Sequence, residues 1–221
     1  MNTRASVHIV TNTNDNGIGS LRHFINLASP KDTIRFSSII ASTSSSTILL
    51  DSSLTINKPI TIVGKRNGAN ELIISGEFLC RVFDINCTGN VMIDSLAIVK
   101  GKITSPLDGG GINFTGDTLK LNFVRFQQNE ARMGGAINAT NVIIKNGNFL
   151  NNLGLLRGAG INSSQSCDID NTYFISNKGR TIGHPGVVLY SQGVFSIKNS
   201  FIRSSTIINT TTPWTNRRAI V

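Results

Sequence analysis

Chemistry needs particular side chains at particular spacings, and in this chain the eligible ones are few. Glycosidic bond cleavage takes carboxylates converging on one face, and of the twelve acidic residues only Asp168 and Asp170 are closely spaced. The stretch NTNDNG at 12–17 has the outline of a calcium loop, but asparagine takes the alternating ligand positions and His23 stands where a closing glutamate belongs. A turn is the expected reading. His8, His23 and His184 show no Ser/His/Asp arrangement. Cys80, Cys87 and Cys167 are odd in number and lack CxxC or Cys/His spacing, so buried thiols are expected rather than a disulfide framework or a zinc site. Neither a metal nor a cofactor is predicted. Glycine clusters could cradle phosphate, but here they recur and precede apolar strand-like runs, whereas a phosphate loop precedes a helix once.

That recurrence identifies the elements that must position everything else. GGGIN at 109–113, GGAIN at 134–138 and GAGIN at 158–162 align, with Ile112, Ile137 and Ile161 separated by 25 and 24 residues. Weaker copies extend the column back to Ile85 and forward to Leu189. A second column runs Ile93, Leu121, Ile144, Ile169 and Ile197, preceded two residues earlier by Val91, Leu119, Val142, Cys167 and Phe195. Period two places these pairs inside and turns Lys120, Ile143, Asp168 and Ser196 outward. A third column, Ile98, Phe126, Phe149, Phe174 and Ile202, follows five residues later, with Asn146, Asn171 and Asn199 at the bend between them. Three short strands in each repeat of about 25 residues describe an all-β, right-handed single-stranded parallel β-helix, a solenoid with a short N-terminal capping helix. At a coil spacing of about 4.8 Å, seven or so coils make a rod about 34 Å long. In this frame Asp170 shares an outward column with Asp94, Asn122, Lys145 and Lys198, so a ladder of charge pairs explains the one carboxylate pair.

Upstream, TIRF (33–36), TILL (47–50), LTI (54–56), ITIVG (60–64) and ELIISG (71–76) read as strands of less regular coils. Before them SLRHFINLA predicts a helix capped by Ser20, with Leu21, Phe24, Ile25 and Ala28 at helical spacing, lying over the first coil. The expected organisation is a cap over 1–32, coils over 33–205 and an irregular tail over 206–221, where Trp214 either folds back over the last coil or the native chain continues.

GGGI and GGAI alternating with FQQN (126–129), FLNN (149–152) and FISN (174–177) resemble the GGAI and FxxN tetrapeptides of polymorphic outer-membrane protein repeats. The front, VTNTNDNGIGSLRHFINLA with DTIRF and LTINKPITIVG, is similar to the start of bacterial surface proteins with right-handed β-helix repeats. The resemblance covers roughly residues 7–205. It implies an extracellular or outer-membrane surface protein, some relatives being adhesins, with a pectate-lyase-like fold that also includes polysaccharide lyases and glycosidases. NCT, NFT, NAT and NSS at 86, 113, 138 and 162 match glycosylation sequons, but their recurrence makes a turn ladder the simpler cause.

The chain has a net charge of +9 and a pI near 10.0, which favours anionic partners. Loops after the third strand carry Lys100, Lys102, Arg132, Arg157, Lys178, Arg180 and Arg203, which stacking would bring along one edge of the rod. Such a stripe suits an acidic polysaccharide or another anionic surface. Nucleic acid is disfavoured because these loops lack aromatic residues. MNTRASVHIV has no signal-peptide run and no stretch approaches the roughly 20 apolar residues of a membrane span, so a mature form or fragment is expected. The expected function is a non-catalytic cell-surface or secreted module for adhesion or glycan binding. The alternatives are a carbohydrate-active enzyme, lyase or hydrolase, and a structural stalk.

Overall fold

Inward residues every second position, and a bend every few residues, wind the chain into a right-handed parallel β-helix of about seven turns. The computed structural model describes residues 4–40, 44–67, 70–104, 106–179, 188–203, 208–210 and 218–220. Successive coils stack in register and generate ladders along the rod.

The first ladder stacks Leu54–Ile56, Phe83–Ile85, Ile112–Phe114, 137–139, 161–163, Leu189–Ser191 and Ile208–Thr210. The second stacks Val7–Val10, Thr33–Phe36, Thr61–Val63, 91–94, 119–122, 142–145, 167–170 and 195–198. The third stacks Ser46–Leu49, 72–75, 96–99, 124–127, Asn148–Leu150, Tyr173–Ile175 and 201–203. Apart from a small antiparallel hairpin pairing Arg66 with Glu71, every described strand pair is parallel.

The expected second and third columns are the observed ones, rung for rung, and their side chains are buried. Phe126, Phe149 and Phe174 stack face to face, with ring centroids 4.8 and 4.7 Å apart. That spacing is the coil rise itself, so the rings inherit the backbone repeat. In the first column Phe83, not Ile85, faces Ile112. Both point inward, so a slip of two residues leaves the apolar pattern unchanged and the sequence cannot sense it.

Bends occur where the backbone turns left-handed. Between the second and third strands Ser95, Phe123, Asn146, Asn171 and Asn199 all have φ between 47° and 57°. After the third strand Lys100, Gln128, Asn151 and Ser176 repeat the geometry. Asparagine suits such a corner because its side chain hydrogen-bonds locally, and here Asn171 donates to Asn146 (2.7 Å), which donates to Asn122 (2.9 Å), which donates to Asp94 (3.0 Å). Gly134 serves the third corner at φ 62°. Gly135 has a different role: a Cβ there would stand 2.4 Å from the Leu153 carbonyl oxygen of the next coil.

A second asparagine ladder runs inside the rod and belongs to the FxxN tetrapeptides. Asn129, Asn152 and Asn177 are fully buried. Asn129 Nδ2 donates to Asn152 Oδ1 (2.9 Å) and Asn152 Nδ2 to Asn177 Oδ1 (2.8 Å), while the Asn129 and Asn152 backbone N–H groups donate to the same oxygens. Each amide also donates one coil back, to the carbonyls of Ile98, Phe126 and Phe149. Asn113, Asn138 and Asn162 form a third ladder of 2.7–2.8 Å side-chain bonds. They lie in strands of the first ladder, so the expected turn ladder at these three sequons is a strand ladder.

The helix spans Leu21–Leu27, with Ser20 Oγ accepting from the His23 backbone N–H. Leu21 and Ile25 enter the core and the helix packs on Val7–Val10, Thr33–Phe36 and Leu54–Ile56, as a lid over the first coils must. Its C-terminal carbonyls, at Asn26 and Ala28, accept from Lys58 Nζ at 2.9 and 2.5 Å.

Two boundaries move. Val7–Val10, inside the expected cap, is already a rung, because a two-sided strand of four residues carries too little pattern to be read. Ile208–Thr210 and Arg218–Ile220 continue the ladders into the segment expected to be irregular. Trp214 lies outside the described residues.

Candidate functional site

Residues after the third strand, read from sequence as loops, form a short fourth ladder of Glu130–Met133, Leu153–Arg157 and Lys178–Gly179, which Lys102 joins through a bridge to Glu130. Parallel pairing recruits these segments because coils held 4.8 Å apart align whatever backbone lies between them. Lys102, Arg132, Arg157 and Lys178 are therefore brought to this one ladder, Arg157 opposite Met133 rather than Arg132, with Lys100 at its corner. Arg203 lies instead at the end of the third ladder, opposite Ile175, and Arg180 falls outside the described residues.

The charges on that ladder are largely engaged. Lys100 Nζ stands 3.2 Å from Glu77, Lys102 Nζ 3.2 Å from Glu130, and Arg132 grips Asp108 through two nitrogens at 2.9 and 3.0 Å. Ser75 Oγ and Lys100 hold the Glu77 carboxyl below its ordinary range. Arg157 lies over the Tyr190 ring, 4.0 Å from its centroid, and donates to Met133 Sδ. Lys178 is exposed. Glu77 and Asp108 lie about one coil before Lys100 and Arg132, but Glu77, Asp108 and Glu130 share no repeat column with one another, so the sequence pattern does not single them out as partners.

Carboxylates elsewhere also hold structure. Asp15 binds Arg22 at 2.6 Å, placing NTNDNG as a turn braced against the helix. Arg81, buried, donates to the carbonyls of Gly109 and Asp108 and pairs with Asp84 at 2.8 Å. Arg125 reaches Glu71 on the hairpin at 2.5 Å. Asp32 accepts from the Ser6 and Ser29 backbone N–H groups and from His8, which together lower its pKa to about 2. Asp170 pairs with Lys198 at 3.8 Å and accepts from Asn199, whereas Lys145, expected to share it, forms no ion pair among the described residues. The carboxylates of Asp51, Asp117 and Asp168 meet no such partner among the described residues and lie in three different coils.

Among the described residues no three His, Cys, Asp or Glu side chains are grouped to hold a metal ion. The three cysteines are free thiols, and burial pushes each pKa up, Cys167 most of all. No described helix is long and apolar enough to cross a membrane.

Two open depressions mark the outer faces. One, of about 230 Å³ on the third ladder, is lined by Ser75, Glu77, Lys100, Arg125 and Gln127, and its two cations are the ones already paired with Glu77 and Glu71. The other, of about 420 Å³ on the second ladder, is lined by Met92, Lys120, Leu121, Asn122, Ile143 and Lys145. Lys120 and Lys145 are exposed and form no ion pair among the described residues. The sequence signal for them was their outward position in strands, which counts for little until the partners of the other cations are known. Residues 171–221 also contain six basic and no acidic residues, so most of the net charge belongs to the C-terminal end of the chain.

No protein-family model matches the chain, and no curated protein matches it.

Proposed function

We propose that this right-handed parallel β-helix is a non-catalytic cell-surface or secreted module that binds acidic polysaccharide along the side of its rod. The GGAI and FxxN repeats, and the likeness to bacterial surface proteins of pectate-lyase-like fold, favour an extracellular or outer-membrane setting. One observation carries the reading. The described carboxylates are mostly occupied in bracing coils, while basic residues remain in excess on the outside. Paired or hydrogen-bonded carboxylates are poorly placed to converge on a scissile bond as acid and base. Excess cations on a rigid surface attract polyanions from solution.

Lys100, Lys102, Arg132, Arg157, Lys178, Arg180 and Arg203 are the first candidates for contact. At Lys100, Lys102 and Arg132 a ligand anion must replace Glu77, Glu130 or Asp108. A glycan array at low and high salt tests the reading. Retention of acidic glycans that weakens with salt, without turnover, is expected; release of unsaturated or reducing sugar fragments would overturn it in favour of a lyase or hydrolase. Arg132→Glu with Arg157→Glu should weaken retention, and unchanged retention removes the fourth ladder from the binding face.

A further inference from the structure

We infer that the groove between Lys120 and Lys145 is a subsite for a single anionic group carried on an otherwise neutral, hydroxyl-rich glycan, a uronate unit being the chemistry it fits. This rests on the glycan-binding reading above and names the place and the charge pattern of the ligand.

The two lysines sit on neighbouring rungs, set diagonally: Lys120 pairs in register with Ile143, and Lys145 with Asn122. Strand spacing and a two-residue rise put their Cα atoms about 8 Å apart, so two lysine side chains can close on one carboxylate between them. Both are exposed and without an ion pair among the described residues, unlike Lys100, Lys102, Arg125, Arg132 and Lys198, each of which has a carboxylate. A new anion at Lys120 and Lys145 displaces no existing partner. Ile143 and Asn122 complete the diagonal between them, and the apolar part of the depression is made by Ile143, by Met92 one coil before Lys120, and by Leu121 beneath. A pyranose ring presents that combination: a carbon–hydrogen face for the floor and polar groups at its edge.

The flanking charges set the spacing of the ligand. Along the same outer face Asp94 stands one coil before the lysines, paired in register with Asn122, and Asp168 and Asp170 stand one coil after, in register with Ile143 and Lys145. Further out the sign returns to positive at Arg35 and at Lys198. A chain with a negative group on every unit, lying along the rod, would meet carboxylates on both sides of the lysines. Like charges so placed reduce affinity and select against such partners. A glycan with one carboxylate flanked by neutral sugars instead offers hydroxyl donors to Asp94 and Asp168. Dense polysulfates and polynucleotides are therefore disfavoured at this face.

The full chain, with Lys120→Glu/Lys145→Glu and Arg132→Glu/Arg157→Glu as parallel variants, is titrated with hyaluronan oligosaccharides, which carry one carboxylate per disaccharide, and with heparin, single-stranded DNA and uncharged dextran. The wild type should retain hyaluronan in preference to the other three, and the Lys120/Lys145 variant should lose at least about tenfold in affinity. An unchanged far-UV spectrum confirms that the loss is not one of folding, and both side chains are exposed. Hyaluronan binding that survives the Lys120/Lys145 substitution overturns the groove assignment alone. Tighter binding of heparin or DNA overturns the sparse-charge inference. Failure of the wild type to retain any acidic glycan sinks the underlying reading as well.

Discussion

Asp32 shows how a single carboxylate can fix a terminus. It is nearly fully buried and gathers the Ser6 and Ser29 backbone N–H groups with His8, so it ties the first rung to the segment leaving the helix. Those donors favour the ionised form and lower its pKa from the usual 3.8 to about 2. A group whose folded pKa is depressed contributes stability that is complete above its unfolded value and disappears as pH falls through the folded one. The contribution here is up to about 2 kcal/mol at neutral pH. Urea unfolding should therefore show Asp32→Asn less stable than the wild type at pH 7, with the gap shrinking by more than half at about pH 2.5. A gap independent of pH would mean that the bonds to Ser6 and Ser29 do not depend on charge.

At the scale of the element, the corner between the second and third strands recurs with one misfit. Asparagine or serine occupies it at 95, 146, 171 and 199, but Phe123 holds φ 49° and is 45% exposed. The left-handed conformation costs an ordinary residue roughly 1–2 kcal/mol, and asparagine visits it more readily. Phe123→Asn should relieve about 1 kcal/mol of that cost, seen as a higher thermal midpoint provided the relief exceeds what the buried half of the side chain contributes. A lower midpoint would show that the exposed ring contributes packing the corner needs. The same scale explains why the fourth ladder has no strand signature in the sequence. Glu130–Met133 and Leu153–Arg157 mix charged, small and apolar residues without period two, and a bulge lies between Ala131 and Met133. Their pairing follows from coil stacking rather than from their own sequence.

For the whole molecule, the coil is the unit of cooperativity. Each coil touches chiefly its neighbours, so stability approximates a sum of coil and interface contributions. Deleting residues 137–160 joins Ala136 directly to Ile161, which takes the place of Ile137 above Ile112, because Ile112, Ile137 and Ile161 share one register. The shortened rod should fold, with a strand-rich circular dichroism spectrum and a single cooperative transition at a lower midpoint. Loss of cooperativity would show that coils 137–160 nucleate the rest. That deletion removes Lys145 and leaves Lys120, so it should also weaken glycan retention if the second-ladder groove is the subsite.

The strands, their inward columns and the capping helix were legible in the residues because each depends on local periodicity and on local bends: Ile144 two residues from Val142, Asn146 at a corner, Ser20 before Leu21. Charge was not legible in that way. Arg132 counts as a free cation until Asp108, 24 residues earlier, is brought beneath it, and Lys145 counts as paired until Lys198 takes Asp170. Local pattern sets which face a side chain occupies, since alternation is a property of neighbouring bonds. Which opposite charge waits on that face depends on loops of unequal length between coils, and only the stacked tertiary structure decides it.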